Sequence, residues 1–226
     1  TSNLDQTPSS AFWASNSSGV YFNVREYGQS NVYYADLRGK LKKITDGNHM
    51  LSMNDLVGNN SVATWTDPSN PSDIVTFSID KSKNIKRLTN VNEDIFYNVE
   101  FGKVEEINYK SVDGKTVQGW IVKPPYFNSN KKYPLVLRIH GGPHSMYHVG
   151  FNYNFQMHAA QDQVVLYTNP RGSTGYGYDF ANAIQNAYPG NDYDDIMAGV
   201  DEVIAKGYID ENKMYVYGGS GGGVLT

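Results

Sequence analysis

The window Gly218-Gly219-Ser220-Gly221-Gly222-Gly223 sets five glycines and one serine directly behind the strand-like run Met214-Tyr215-Val216-Tyr217. A regular strand does not continue through so many glycines, which cost backbone entropy and offer no side chain to pack. The chain has to turn there. Residues 218–222 fit G-x-S-x-G, the pattern of a nucleophile elbow, where a serine takes a strained backbone position between a strand and a helix. Side chains beside that serine would collide, so glycines flank it. The turn lifts the hydroxyl above the sheet edge and aims the next backbone N–H at a developing oxyanion. The spacing predicts Ser220 at the end of a strand over roughly 213–217, with little helix after it. In a chain with 22 glycines the pattern alone also describes a glycine-rich loop. The preceding strand separates the two readings.

The residues from about Phe101 onward alternate strands with helices. Runs 104–110 and 116–123 flank Asp113-Gly114, a dipeptide favoured in tight hairpin turns. Leu135–Ile139 and Gln163–Tyr167 are continuous apolar runs, as strands covered on both faces require. Residues 192–206 place Ile196, Met197, Val200, Val203 and Ile204 at helical spacing, with acids at the start and Lys206-Gly207 at the end. Such alternation implies a mainly parallel sheet. After its first apolar run comes Arg138-Ile139-His140-Gly141-Gly142-Pro143-His144. Hydrolases built on such a sheet take an oxyanion donor from the equivalent loop, where glycine lets the backbone approach the substrate carbonyl.

The first hundred residues follow a different grammar. Val20–Val24, Asn31–Leu37 and Leu41–Thr45 are short β-branched and aromatic runs, and the pattern returns at Ser61–Trp65, Asp73–Ile79 and Lys86–Thr89. The step from Thr45 to Thr89 is 44 residues and that from Val20 to Val62 is 42. Four short strands at a period of about 40–45 residues are the signature of a propeller blade. Two blades cannot close a ring of about four to eight, so this half reads as part of something larger.

Composition removes several classes. The chain has no cysteine, which excludes a disulfide scaffold, a thiolate nucleophile and a Cys-ligated zinc site. A net charge of −4 argues against nucleic-acid binding. Apolar runs are too short to span a bilayer, and Thr1–Asp5 lacks the pattern of a signal peptide. His140, His144 and His148 have helical metal-ligand spacing, but Gly141-Gly142-Pro143 forbids the helix. Residues 172–177 match neither a dinucleotide fingerprint nor a P-loop, so no cofactor is expected. Glu105-Glu106 reads as solvated charge, and Asp192, Asp194 and Asp195 read as a charged helix start. Arg171, in a loop at the same sheet edge as the elbow, needs a carboxylate if buried. Asp194 or Asp195 is the expected partner, in a structural role.

Four segments in order resemble the prolyl oligopeptidase family of serine peptidases, nearest its acylaminoacyl-peptidase-like and dipeptidyl-peptidase-like branches. They are Ile139–His144, Asn169–Gly177, Asp194–Asp201 and Gly218–Gly223. The resemblance implies the last blades of a β-propeller over 1–100, and over 101–226 the N-terminal part of an α/β-hydrolase domain ending just after the elbow. It implies Ser220 as the acylated nucleophile, the N–H of Gly221 as one oxyanion donor and the Gly142 backbone as the second. His140 stands where some branches carry an oxyanion-binding tyrosine, although anchoring of its own loop is the preferred role. Much of the family has an aromatic residue at the position of Gly221. In α/β-hydrolases the acid and histidine follow the serine, and all five histidines here precede Ser220. The expectation is therefore a fragment, inactive alone, with its catalytic Asp and His beyond Thr226. A peptide is the expected substrate; nucleic-acid and membrane partners are not expected, and homo-oligomerisation stays open. Alternatives are a carboxylesterase or a non-catalytic binding protein on the same architecture. Cytoplasmic and periplasmic or secreted locations remain equally open.

Overall fold

Residues 4–226 are described in a computed structural model of the chain; residues 1–3, and with them part of the N-terminal stretch read as lacking a signal peptide, lie outside them. The described residues fall into two compact units. One runs to Val99 and also takes in His148–Phe151; the other comprises Glu100–Tyr147 and Asn152–Thr226.

The first unit is two four-stranded antiparallel meanders. β1 (Pro8–Trp13), β2 (Gly19–Glu26), β3 (Gln29–Asp36) and β4 (Leu41–Lys43) form one. The second consists of β5 (Met50–Val57), β6 (Asn60–Thr66), β7 (Asp73–Ser78) and β8 (Lys86–Arg87), followed by the short helix α1 (Glu93–Phe96). They join through one parallel bridge, Ser30 to Met50. Strands β1 and β5 escape the sequence reading. β1 opens Pro-Ser-Ser, which carries no strand propensity, and the alternation of buried Leu51 and Met53 is only a short stretch.

The repeat extends to individual atoms. Thr45 Oγ1 accepts the Val32 N–H at 2.9 Å and donates to Asn31 Oδ1 at 3.1 Å. Thr89 Oγ1 accepts the Ile74 N–H at 2.9 Å and donates to Asp73 Oδ1 at 2.6 Å. In each meander one threonine thus ties the last strand to the start of the third. Alternation in β7 buries Val75 and Phe77 against Leu51, Met53 and Val32. The 148–151 segment bonds this unit through the Val149 N–H to Gly28 O, 2.9 Å, and the Phe151 N–H to Thr66 Oγ1, 3.1 Å.

The second unit contains β9 (Val104–Lys110), β10 (Thr116–Val122), β11 (Tyr133–Ile139), α2 (Tyr153–Ala160), β12 (Val164–Asn169), α3 (Tyr178–Asn182), α4 (Asn191–Ala205), β13 (Ile209–Gly218) and α5 (Gly221–Val224). Its sheet runs β13-β11-β12-β10-β9. The expectation of a mainly parallel sheet needs correction. β11 pairs in parallel with β12 and β13, but β10 is antiparallel to both β12 and β9. The direct turn of the β9–β10 hairpin forces those two strands antiparallel, and β10 then docks antiparallel on β12, whereas the helical crossovers after β11 and β12 bring the next strands back in parallel. The turn itself is wider than a two-residue loop. The Ser111 N–H bonds Lys115 O at 2.9 Å, and Gly114 takes φ +80° inside it.

Trp120, Ile121, Leu135 and Leu166 are buried at the sheet centre, and the apolar face of α4 packs on it through Ile196, Val200 and Val203. Gly199 lets α4 approach β9, because a Cβ there would lie 2.6 Å from the Tyr109 hydroxyl oxygen. After β12 the chain passes β11 and returns on its other side as β13. The carboxyl ends of β11 and β13 therefore lie side by side, with Ile139 opposite Gly218. In open α/β sheets, ligand sites form at such carboxyl-end positions.

Candidate active site

Two residues after β13, Ser220 has φ 55° and ψ −123°. A non-glycine residue in that region carries strain of about 1–3 kcal/mol, which persists only where surroundings enforce it. The enforcement is local. A Cβ on Gly218 would lie 2.3 Å from Gly222 O, and one on Gly222 would lie 2.4 Å from Ile139 O. The Gly222 N–H bonds Gly219 O at 3.0 Å and the Gly223 N–H bonds Ser220 O at 2.9 Å, closing the turn into α5. Ser220 itself is exposed. The strand before it, β13, starts earlier than the expected 213–217, and only one turn of helix follows.

The loop after β11 lies against this turn. A Cβ on Gly141 would sit 3.0 Å from Gly219 O and 3.4 Å from Ser220 Cβ. Gly142 has φ +129°, and its carbonyl oxygen is 2.9 Å from where a Cβ on Gly221 would be. His140 Nδ1 lies 2.8 Å from Gly141 O, so it carries the proton and donates; Nε2, 3.0 Å away, accepts from Ser173 Oγ. Both nitrogens are thereby used to tie the loop down, and neither is left for an oxyanion. Burial pushes the His140 pKa below 6.5, against the Gly141 hydrogen bond, which favours the neutral ring assigned here. His144 Nδ1 bonds Gly172 O at 3.0 Å. No histidine is bonded to Ser220 among the described residues. Likewise, no three His, Cys, Asp or Glu among them are grouped to hold a metal ion.

Beneath the rim, Arg171 is gripped from two sides. Its backbone N–H and Nε both donate to Asp195 Oδ2 at 2.8 Å, and Nη2 donates to Asp195 Oδ1 at 2.6 Å. Nη1 and Nη2 also reach Asp113 at 2.9 and 3.0 Å. The guanidinium holds the Asp113 carboxyl down at about 2, and the two carboxylates raise Arg171 further above its ordinary value. Asp194 takes no part in this pair. α4 turns Asp195 toward the sheet, where its side chain is fully buried, and leaves Asp194 on the partly exposed side. The reading of the three acids as a simple charged helix start thus fails for Asp195. It also needs refining for Asp192, which is buried and accepts the Gly190 N–H at 2.6 Å. Glu105 is not merely solvated: it pairs with Lys123 at 2.7 Å and Lys103 at 3.0 Å.

Sequence reasoning missed two residues here. The sequence marks Asp113 only as a turn former, and nothing in one sequence links it to residue 171. Tyr188, half-buried, donates its hydroxyl to Gly221 O at 2.8 Å, and no local pattern marks it.

Residues 149–226 match the family model described as the prolyl oligopeptidase family. Over that stretch the chain is similar to that family. It is 37% identical over 220 residues to the uncharacterized peptidase YuxL of Bacillus subtilis, covering 95% of this chain and 33% of that protein. With dipeptidyl-peptidase 5 of Porphyromonas gingivalis it shares 28% identity, over 93% of this chain and 31% of the relative. The acylaminoacyl peptidase of Pyrococcus horikoshii superposes with a TM-score of 0.86 at 26% identity, covering 100% of this chain and 35% of that one. The chain thus spans about a third of the length of these relatives.

Proposed function

We propose that this chain carries the nucleophile segment of a serine peptidase that hydrolyses short peptides through an acyl-enzyme on Ser220. The observation that carries the reading is the strained Ser220 at the carboxyl end of β13, pressed by glycines against the Gly141-Gly142 loop. Ser220 Oγ attacks the scissile carbonyl, the carbonyl π pair moves to oxygen, and the serine proton passes to a general base. Collapse of the tetrahedral intermediate expels the amine, which takes up that proton. Water then hydrolyses the ester, returning Ser220. The Gly221 N–H serves as one oxyanion donor and the Gly142 backbone as the other. His140, Arg171 and Asp195 hold the surrounding loops. The base and its carboxylate partner come from the part of the relatives' length that this chain does not span.

In the same reading the two meanders of the first unit are propeller blades that restrict access by substrate size, and the second unit is part of an α/β-hydrolase domain. Support comes from the Thr45 and Thr89 clasps, which repeat with the blade period. That repeat also favours a peptidase over an esterase, since a free-standing esterase needs no such unit.

The deciding experiment treats the full-length protein with a fluorophosphonate and with an aminoacyl p-nitroanilide. Labelling and turnover are expected, and both vanish in Ser220→Ala. Labelling that survives Ser220→Ala overturns the assignment, and ester hydrolysis without amide hydrolysis moves it to a carboxylesterase. Neither labelling nor turnover points to a binding protein.

A further inference from the structure

Resting on the peptidase reading, we propose that Tyr188 is a positioning residue that sets the oxyanion donor at Gly221 from outside the elbow. A glycine following the nucleophile is free to rotate on both sides of its Cα, so its N–H has no side chain to fix its direction. The helix it opens offers little help. α5 is one turn long and holds three glycines, each costing about 1 kcal/mol of helix propensity. The helical bond to the Gly221 carbonyl, from the Leu225 N–H, is long at 3.3 Å. The Tyr188 hydroxyl supplies the stronger anchor, donating to the same carbonyl at 2.8 Å. It thereby pins one end of the residue whose other end presents the N–H.

The same phenol also crowds the glycine. A Cβ on residue 221 would lie 3.0 Å from the Tyr188 oxygen and 2.9 Å from Gly142 O. The Gly142 carbonyl and the Tyr188 hydroxyl therefore both crowd the space into which a side chain at 221 would start. The position of Tyr188 is well defined. The turn before α4 is tight, since a Cβ on Gly190 would meet Ala187 O at 2.4 Å, and Asp192 fastens the Gly190 N–H. Burial, aided by the Asp192 charge, raises the Tyr188 pKa above 10.0, so the phenol remains a donor at neutral pH.

The test uses full-length enzyme with Tyr188→Phe, Gly221→Ala and the double variant. Each is assayed for kcat and KM on an aminoacyl p-nitroanilide, for inhibition by a peptidyl trifluoromethyl ketone, and for the number of fluorophosphonate-reactive serines. Tyr188→Phe is expected to lower kcat about tenfold with KM within about twofold, less than the loss of a direct oxyanion donor. The ketone, which forms an oxyanion adduct on Ser220, weakens by the same factor, and the reactive-serine count stays unchanged. In the Gly221→Ala background the Phe substitution adds less than about twofold, because interacting sites are not additive. If Tyr188→Phe folds poorly, a ring-fluorinated tyrosine at 188 replaces it. Its more acidic phenol is expected to move the alkaline fall in kcat to lower pH. Wild-type kcat and ketone affinity in Tyr188→Phe, full additivity in the double variant, or a loss matched by fewer reactive serines overturns the proposal. An unmoved alkaline limb does the same. Wild-type enzyme that neither labels nor turns over sinks the peptidase reading, and this proposal with it.

Discussion

Asp73 and Asp195 are both buried carboxylates, one in each unit, yet they are held by different means. Asp73, at the start of β7, accepts from the Thr89 hydroxyl at 2.6 Å, the Val91 N–H at 3.1 Å and Arg87, whose side chain is 40% exposed. Asp195 faces Arg171, which is itself only 6% exposed and contributes three N–H groups to it. A carboxylate with neutral donors survives the loss of its cation. A pair in which both members are buried does not, because either one left alone is an uncompensated charge. The first meander goes further and uses an uncharged amide, Asn31, at the place of Asp73.

The largest test of this contrast is Arg171→Leu, which strands Asp195. It is expected to cost about 3–5 kcal/mol in denaturant unfolding of the second unit. A loss no larger than that of the Asp73 variants would break the comparison. Asp73→Asn, which converts the second clasp into the form of the first, keeps the Thr89 bond but loses a charged acceptor. A cost of about 1–2 kcal/mol is expected. Arg87→Ala removes only an exposed partner lying over Trp65, and less than about 1 kcal/mol should go with it. A value equal to that of Arg171→Leu would mean that the neutral donors do not carry Asp73.

The gentlest probe is pH. For Asp73, burial pushes the pKa up, but Thr89, Arg87 and the Val91 N–H outweigh it and hold it below 3.8. Its stabilisation is complete above the unfolded value and is lost as pH falls through the folded one. His49 acts earlier in an acid titration. Burial lowers its pKa below 6.5 against the opposing charges of Asp67 and Asp46, with Lys43 adding to the drop. The unfolded chain takes up that proton first, so first-unit stability is full above about pH 6.5 and declines below it. Unfolding measured from about pH 7 to pH 5 should show that slope, flattened in His49→Leu. An unchanged slope would assign it to His148, also lowered by burial and Arg25.

Much of what surrounds Ser220 was legible because it is local. Glycines at 218 and 222 are dictated by a turn a few residues long, and the strand before it by β-branched and aromatic residues in sequence. The spacing of α4 likewise announces itself within one helix, down to its last turn at Ala205. What escaped was whatever depends on partners distant in sequence. β1 and β5 are strands because neighbours pair with them, and the sheet is mixed because the β9–β10 hairpin, itself visible in the sequence, docks through β10 antiparallel to the distant β12.

By itself the sequence determined where the chain must turn, which serine is set apart, and that a buried Arg171 calls for a carboxylate at the acidic start of the helix over 192–206. Those conclusions need only backbone sterics and charge pairing over short range. The tertiary structure alone chose Asp195 over Asp194, added Asp113 from 58 residues away, and brought Tyr188 to Gly221 across 33 residues. Such choices turn on the helix face that meets the sheet and on the direction of each side chain there. Both are set by packing of the whole unit rather than by any window of residues.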